Sequence, residues 1–280
     1  MSAVEVGELK RAWNAVQAGE FRCPTRVPAP EPEMAVKAAS AGRPIQHESW
    51  QPTDTVIPVL GCHGWAGATT VAVALATVAT APARVVETCG VAASGLTACA
   101  TAELGVSSEG WSRGTFESAG LEHATDLFAH PGEVPPPTPS DKYTLTILDV
   151  GWESSQLFCQ DSWVTQTVLA APQVVLVTSA TVPGLRRLEG VLHLLSEHTD
   201  AVIAVVGPPR RRWPRHVRHS LGAKAKEADQ SGHLVDVPQD ATLATRGLDS
   251  SPLPSHVLAS ATKVFKALDL DLFTPTEGTP

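Results

Sequence analysis

From Thr55 onward the chain alternates short continuous apolar runs with longer segments whose apolar positions recur every three or four residues. The runs are Val56–Leu60, Arg84–Thr88, Tyr143–Val150, Val174–Ser179, Ala201–Val206 and Leu234–Val237. Continuous apolar runs are expected for strands covered on both faces, as in a parallel sheet. The segments between them predict helices over Ala68–Ala79, Ala92–Leu104, Pro183–His198 and Pro254–Leu268. The last of these carries Val257, Leu258, Ala261, Val264, Phe265 and Leu268 on one stripe. The expected fold is therefore α/β: a doubly wound, mostly parallel sheet with helices on both faces, forming a single domain over residues 53–273.

Residues 1–52 have a different pattern and are expected to be an N-terminal extension. Leu9, Trp13 and Val16 fall on one face of a predicted helix over about residues 4–21, and a proline-rich linker follows. The helix stripe would dock on the chain's own domain or on a partner. Residues 274–280 read as a tail, and the proline-rich stretch Gly132–Asp141 as an exposed loop.

With 43% apolar residues in 280, the chain can bury a full core. The net charge of −8 argues against coating nucleic acid with the whole surface, which needs a positive field. Five scattered cysteines without a C-x-x-C pair indicate neither a disulfide framework nor a zinc site. No apolar run is long enough to span a bilayer, and the first residues do not resemble a leader, so a cytoplasmic location is expected.

The strongest chemical signal lies between the first strand and the first helix: Gly61-Cys62-His63-Gly64-Trp65-Ala66-Gly67-Ala68-Thr69-Thr70. A glycine-rich turn from a buried strand into a helix is the setting of a phosphate-binding loop. Its backbone N–H groups surround an anion, the helix N-terminus adds its dipole, and a hydroxyl one step later can ligate magnesium. Gly61, His63, Gly64, Gly67, Ala68, Thr69 and Thr70 are the candidate nucleotide-binding residues. Against G-x-x-x-x-G-K-[ST], Cys62 stands at the first glycine and Ala68 at the lysine.

The loop resembles the K-G-G-x-G-K-[ST]-[ST] variant of the ParA/MinD family of P-loop NTPases, with Gly64, Gly67, Thr69 and Thr70 in place and His63, Trp65 and Ala68 departing from it. The resemblance covers about residues 55–270. Val85-Val86-Glu87-Thr88-Cys89 is similar to the family's V-V-D-x-D segment, and Ser94-Gly95-Leu96 follows at the usual interval. Cys89 replaces the aspartate that the resemblance would assign to positioning water and magnesium. Asp149, ending an apolar strand, resembles the Walker-B aspartate. Thr69 and Asp149 are thus the candidate magnesium ligands, and ATP or ADP with magnesium is the cofactor the resemblance implies. Val237-Pro238-Gln239-Asp240 with Gly247 resembles the I-P-x-D segment near the adenine pocket, where Gly207-Pro208 replaces a frequent asparagine. The Gly-Ala-Thr-Thr ending particularly resembles the atypical branch of TadZ/CpaE and septum-site-determining-like proteins of actinobacteria.

A second signal is basic. Arg210, Arg211, Arg212, Arg215 and Arg218, with Trp213 among them and Lys224 and Lys226 nearby, suit phosphate contacts and base stacking, or a solvated helix. Trp65 is expected to pack against the neighbouring strand, or else to stack on a ligand or cover the site, and Trp152 and Trp163 to lie in the core or a dimer contact.

These observations leave three readings open. One is a regulatory or positioning factor with a degenerate loop and weak or no ATP hydrolysis, hence no catalytic residue. Another is an active ATPase of plasmid or chromosome partitioning or of conjugation. The last is a module that binds DNA or a protein partner through residues 210–226. A homodimer is compatible with each.

Overall fold

A computed structural model describes residues 49–195 and 198–268. The helix expected over residues 4–21, the linker up to residue 48 and the 274–280 tail lie outside the described residues. Among the latter, nine strands form one sheet in the order β3-β4-β5-β2-β6-β1-β7-β8-β9. Seven run parallel: β1 (Thr55–Gly61), β2 (Ala83–Glu87), β5 (Ala119–Ala124), β6 (Leu145–Asp149), β7 (Gln173–Ser179), β8 (Asp200–Gly207) and β9 (Leu234–Pro238). At one end β4 (Trp111–Phe116) pairs antiparallel with both β5 and the edge strand β3 (Ala102–Val106).

Every central strand is buried because helices cover both faces, which explains the continuous apolar runs. One face packs Val59, Val85, Ile147 and Val175 against α1 (Ala68–Val78) and α8 (Ser255–Ala267). The other packs Leu60, Val86, Leu148 and Leu176 against α3 (Trp163–Ala170), α4 (Val182–Leu195) and α6 (Ala223–Gln230), with the short α2 (Ser154–Phe158) beside α3. The short helices α5 (Arg215–His219) and α7 (Ala241–Arg246) complete the set. No helix among the described residues is long and apolar enough to cross a membrane.

Two expectations are corrected here. The helix expected over Ala92–Leu104 is absent: a single 3-10 turn, Val91–Ala93, is followed by coil and then by β3. The segment cannot be a continuous helix because Glu87 captures it, accepting from the Ser94 hydroxyl and from Gly95 N–H at 2.7 Å. The proline-rich stretch is not an exposed loop. Val134 and Pro137 are buried, and the carbonyls of Val134, Pro136 and Thr138 accept from Trp163 (2.7 Å), Trp111 (3.2 Å) and Arg84 (3.0 Å). Prolines lack N–H groups but keep strong acceptors, so an irregular segment can satisfy three buried donors at once.

Because β1 lies between β6 and β7, the connection from β1 runs to one side, toward β2, while that from β7 runs to the other, toward β8. The carboxyl ends of these three strands therefore flank the crevice where open α/β sheets bind ligands.

Candidate functional site

The loop expected to bind phosphate lies at this crevice. Cys62 N–H still pairs with the sheet, donating to Val177 O at 2.8 Å, after which the chain leaves the strand. Gly67 caps α1 in the left-handed conformation, at φ 92°, and supplies no side-chain acceptor to the first helical turn. The first amides of a helix have no intrahelical partner, so those of Ala68, Thr69 and Thr70 are left for an external acceptor. Gly61, Gly64, Gly67, Ala68, Thr69 and Thr70 thus share one turn from β1 into α1.

His63 belongs to the same turn but points back to the sheet edge. Its Nε2 faces the Ser179 backbone N–H at 3.3 Å and the Ser179 hydroxyl at 3.0 Å, while Nδ1 lies 2.8 Å from Gly64 O. A backbone amide can only donate and a carbonyl can only accept. Nε2 is therefore the acceptor and the proton sits on Nδ1, which makes this a neutral imidazole with both nitrogens engaged.

Trp65 corrects the expectation of packing. It is fully exposed at the loop tip and adopts φ 62°, a left-handed conformation that costs a bulky residue about 1–2 kcal/mol. Cys62 is buried, and desolvation pushes its thiol up to about 12, so it contributes no charge.

Opposite the loop, Glu87 and Asp149 are register partners at the ends of β2 and β6 and lie on the face covered by α1. Asp149 is wholly buried, and neither carboxylate oxygen has a hydrogen-bond partner. Burial, and then the neighbouring Glu87 charge, push its carboxyl up to about 8, a rise the nearby Thr69 hydroxyl only partly offsets. Burial also raises the Glu87 carboxyl, against the hydrogen bonds from Ser94 and Gly95 and the proximity of His123. Two adjacent buried carboxyls are not both ionised without a cation between them, so the pair retains a proton. Cys89 sits beside them, its thiol raised by burial and then by the Glu87 and Asp149 charges, and it stays neutral.

Gly95 closes the site from the side. A Cβ built there would lie 2.9 Å from Thr69 Cγ2 and 3.1 Å from its hydroxyl, so the 94–96 segment presses on the residue that follows the loop. The sequence pointed to Thr69 and Asp149, but not to Glu87 as the partner that holds Ser94 and Gly95 against Thr69. The only signal was Glu87's place in the V-V-D-x-D likeness.

These residues fit a divalent cation: orphaned buried carboxylate oxygens next to a threonine hydroxyl at a helix start are acceptors in need of positive charge. They do not offer a phosphate a cationic side chain, because Ala68 and the neutral His63 occupy both lysine positions.

The basic segment lies elsewhere. Arg210 is tied to Asp229 and, at 3.1 Å, to Asp236, and Trp213 is 3% exposed with its indole N–H donating to Pro208 O at 2.7 Å. Neither is available for the phosphate contact or base stacking expected of it. Arg218 is exposed but donates to the carbonyls of Trp213 and Arg211 at 3.1 and 3.4 Å. Arg211, Arg212 and Arg215 are exposed. Asp240, expected near an adenine pocket, caps α7 by accepting from Thr242 and Leu243 N–H at 2.8 and 2.9 Å.

No family model matches the sequence, and no curated protein matches it either. Solved structures do. Cyanothece McdA(D38A) in complex with ATP is 12% identical, covering 78% of this chain and 97% of that chain with a TM-score of 0.50. Cell division ATPase MinD of Pyrococcus furiosus is 14% identical, covers 76% and 98%, and has a TM-score of 0.49. A plasmid partition protein of Borrelia burgdorferi B31 bound to AMPPNP is 11% identical, covers 77% and 98%, and has a TM-score of 0.46. The chain has the ParA/MinD-like P-loop NTPase fold.

Proposed function

We propose that this chain is a degenerate ParA/MinD-like protein that binds a magnesium–nucleotide complex, hydrolyses it weakly or not at all, and acts as a regulatory or positioning factor. The observation that carries this reading is the hydrogen bonding of His63. It was the one loop side chain able to replace a missing lysine, and its ring is neutral and turned into the sheet edge. Without a cation on the phosphates, a developing transition-state charge loses several kcal/mol of stabilisation. Cys89, a neutral buried thiol at the water-positioning place, adds no base.

Binding is a separate matter from hydrolysis. Amides at the α1 N-terminus favour an anion, whereas Glu87 and Asp149 oppose it until a divalent cation intervenes. When bound, magnesium would be held by Thr69 and Asp149 and would neutralise phosphate charge. Binding should therefore require the metal and release a proton from the carboxyl pair. Titrating ATP and ADP calorimetrically into the purified chain, with and without magnesium, tests this, together with a hydrolysis assay. Ala68→Lys should tighten the magnesium-dependent titration at least about tenfold by restoring one charge-assisted contact. Hydrolysis at the rate of an intact ParA/MinD ATPase, abolished by Thr69→Ala, would sink the reading.

A second reading, salt-sensitive contact with nucleic acid, has support in the exposure of Arg211, Arg212 and Arg215. Three such contacts would give a log–log salt slope of about −3, with Arg211→Ala lowering it by about one.

A further inference from the structure

Ser179, the last residue of β7, is half-buried and follows Val175 and Val177, which pack on the face covered by α1. Side chains alternate along a strand, so Ser179 projects to that same face, where Glu87 and Asp149 also lie. Its hydroxyl belongs to a directed chain of hydrogen bonds. Gly184 N–H donates to Thr181 Oγ1 at 3.1 Å, and the Thr181 and Ser179 hydroxyl oxygens lie 3.0 Å apart. Ser179 Oγ in turn lies 3.0 Å from His63 Nε2, while the proton on Nδ1 is held by Gly64 O at 2.8 Å. Each hydroxyl has one proton, and Nε2 is the accepting nitrogen. Ser179 therefore gives its proton to His63 and takes one from Thr181.

A serine whose proton points at a neutral imidazole, itself oriented through its other nitrogen, has the arrangement that activates an oxygen nucleophile. The neighbouring helix leaves that oxygen room. A Cβ at Gly184 would stand 2.6 Å from Ser179 Oγ, so α4 approaches there as bare backbone. The position of the pair indicates the electrophile. His63 belongs to the turn whose free amides at Ala68, Thr69 and Thr70 favour an anion, and a bound phosphate is held on the side of the sheet to which the serine projects. Water has no comparable base, because the Cys89 thiol stays neutral. The protein's own serine has one.

We propose that Ser179 accepts a phosphoryl group from a donor held at the loop, with His63 as its general base. The Oγ–P bond forms as the bond from phosphorus to its leaving oxygen breaks. That oxygen keeps the electron pair, and the hydroxyl proton passes to His63 Nε2, from which solvent removes it. The product phosphate stands just ahead of α4, whose N-terminal dipole favours negative charge. The donor is a nucleoside triphosphate, a choice that rests on the function proposed above, or a small acyl phosphate; both offer a terminal phosphoryl group.

The test incubates the full chain with magnesium and either ATP or acetyl phosphate, follows the intact mass, and locates the modified residue by peptide fragmentation. One added phosphoryl group on Ser179 is expected from at least one donor, the effective donor identifying the source, and none on Ser179→Ala. His63→Gln should slow the labelling about a hundredfold or more. In the wild type the rate at saturating donor should fall in acid as the imidazole takes up a proton, and His63→Gln should lose that part of the pH dependence. Calorimetric titration of ATP separates the two readings. If ATP binds with magnesium and neither donor labels Ser179, this inference falls and the proposed function stands; if ATP does not bind, the proposed function falls and acetyl phosphate decides the inference. No label from either donor, a label on another residue in place of Ser179, or a rate that His63→Gln leaves unaltered overturns it.

Discussion

Replacing Asp149 by asparagine keeps the shape of the side chain and removes its titration, which isolates the electrostatics of the candidate site. In the folded protein the carboxyl is pushed up to about 8 from its usual 3.8 by burial and by Glu87. Between those values the folded state binds the proton that the unfolded state has released. The stability this carboxyl contributes is therefore complete below the unfolded value and is lost as pH rises toward the folded one. One proton is worth about 1.4 kcal/mol per pH unit, so from about pH 6 to about pH 8 the wild type should lose about 2 kcal/mol relative to Asp149→Asn. For a domain of this size that is a gap of roughly 4–8 °C in melting temperature. The assay is thermal or urea denaturation across that range without nucleotide or divalent cation. Groups other than this carboxyl pair are common to both proteins and cancel in the difference. The two stability curves should converge below about pH 4, separate steadily from there to about pH 8 and run parallel above it, with the variant the more stable. Parallel curves from about pH 6 to about pH 8 would refute the shared-proton account of the Glu87–Asp149 pair.

Other outcomes follow from particular contacts. Trp65→Gly should raise stability by about 1 kcal/mol, seen as a melting temperature a few degrees higher, because the fully exposed indole loses nothing and glycine accepts φ 62° without strain. Gly95→Ala should cost about 1–3 kcal/mol in urea denaturation and weaken magnesium-dependent nucleotide binding in calorimetry, since its methyl would press on Thr69 at 2.9 Å. Arg84→Met should destabilise by about 3–5 kcal/mol in urea denaturation at neutral pH, leaving Asp54 and Glu122 buried without their cation. Part of that loss should return at acid pH as the two carboxylates protonate.

The parallel strands were legible because each is buried on both faces and must be apolar throughout. Val56–Leu60 and Val174–Ser179 could scarcely be anything else once bounded by turns and helical periods. The strand–loop–helix setting of Gly61–Thr70 was legible for a related reason: close backbone approach to an anion admits few residue types besides glycine. The antiparallel extension was not legible. β3 is exposed along its whole length and carries no burial pattern, and β4 interrupts its apolar positions with Ser112, Arg113 and Gly114. The carbonyls of the proline-rich stretch serve Arg84 and two tryptophans distant in sequence, and composition carries no record of those partners.

By itself the sequence determined an α/β sheet, a phosphate-type loop in the right setting and the absence of lysine from that loop, because these rest on burial, local backbone needs and residue identity. Tertiary structure alone decided the charge state of His63, through Ser179 on another strand. It decided likewise the pairing of Glu87 with Asp149, the loss of Trp213 and Arg210 from the basic surface, and the exposure of Trp65. Each depends on which groups distant in the chain face one another across the sheet, and electrostatic energies are set by those separations and by burial rather than by order along the chain.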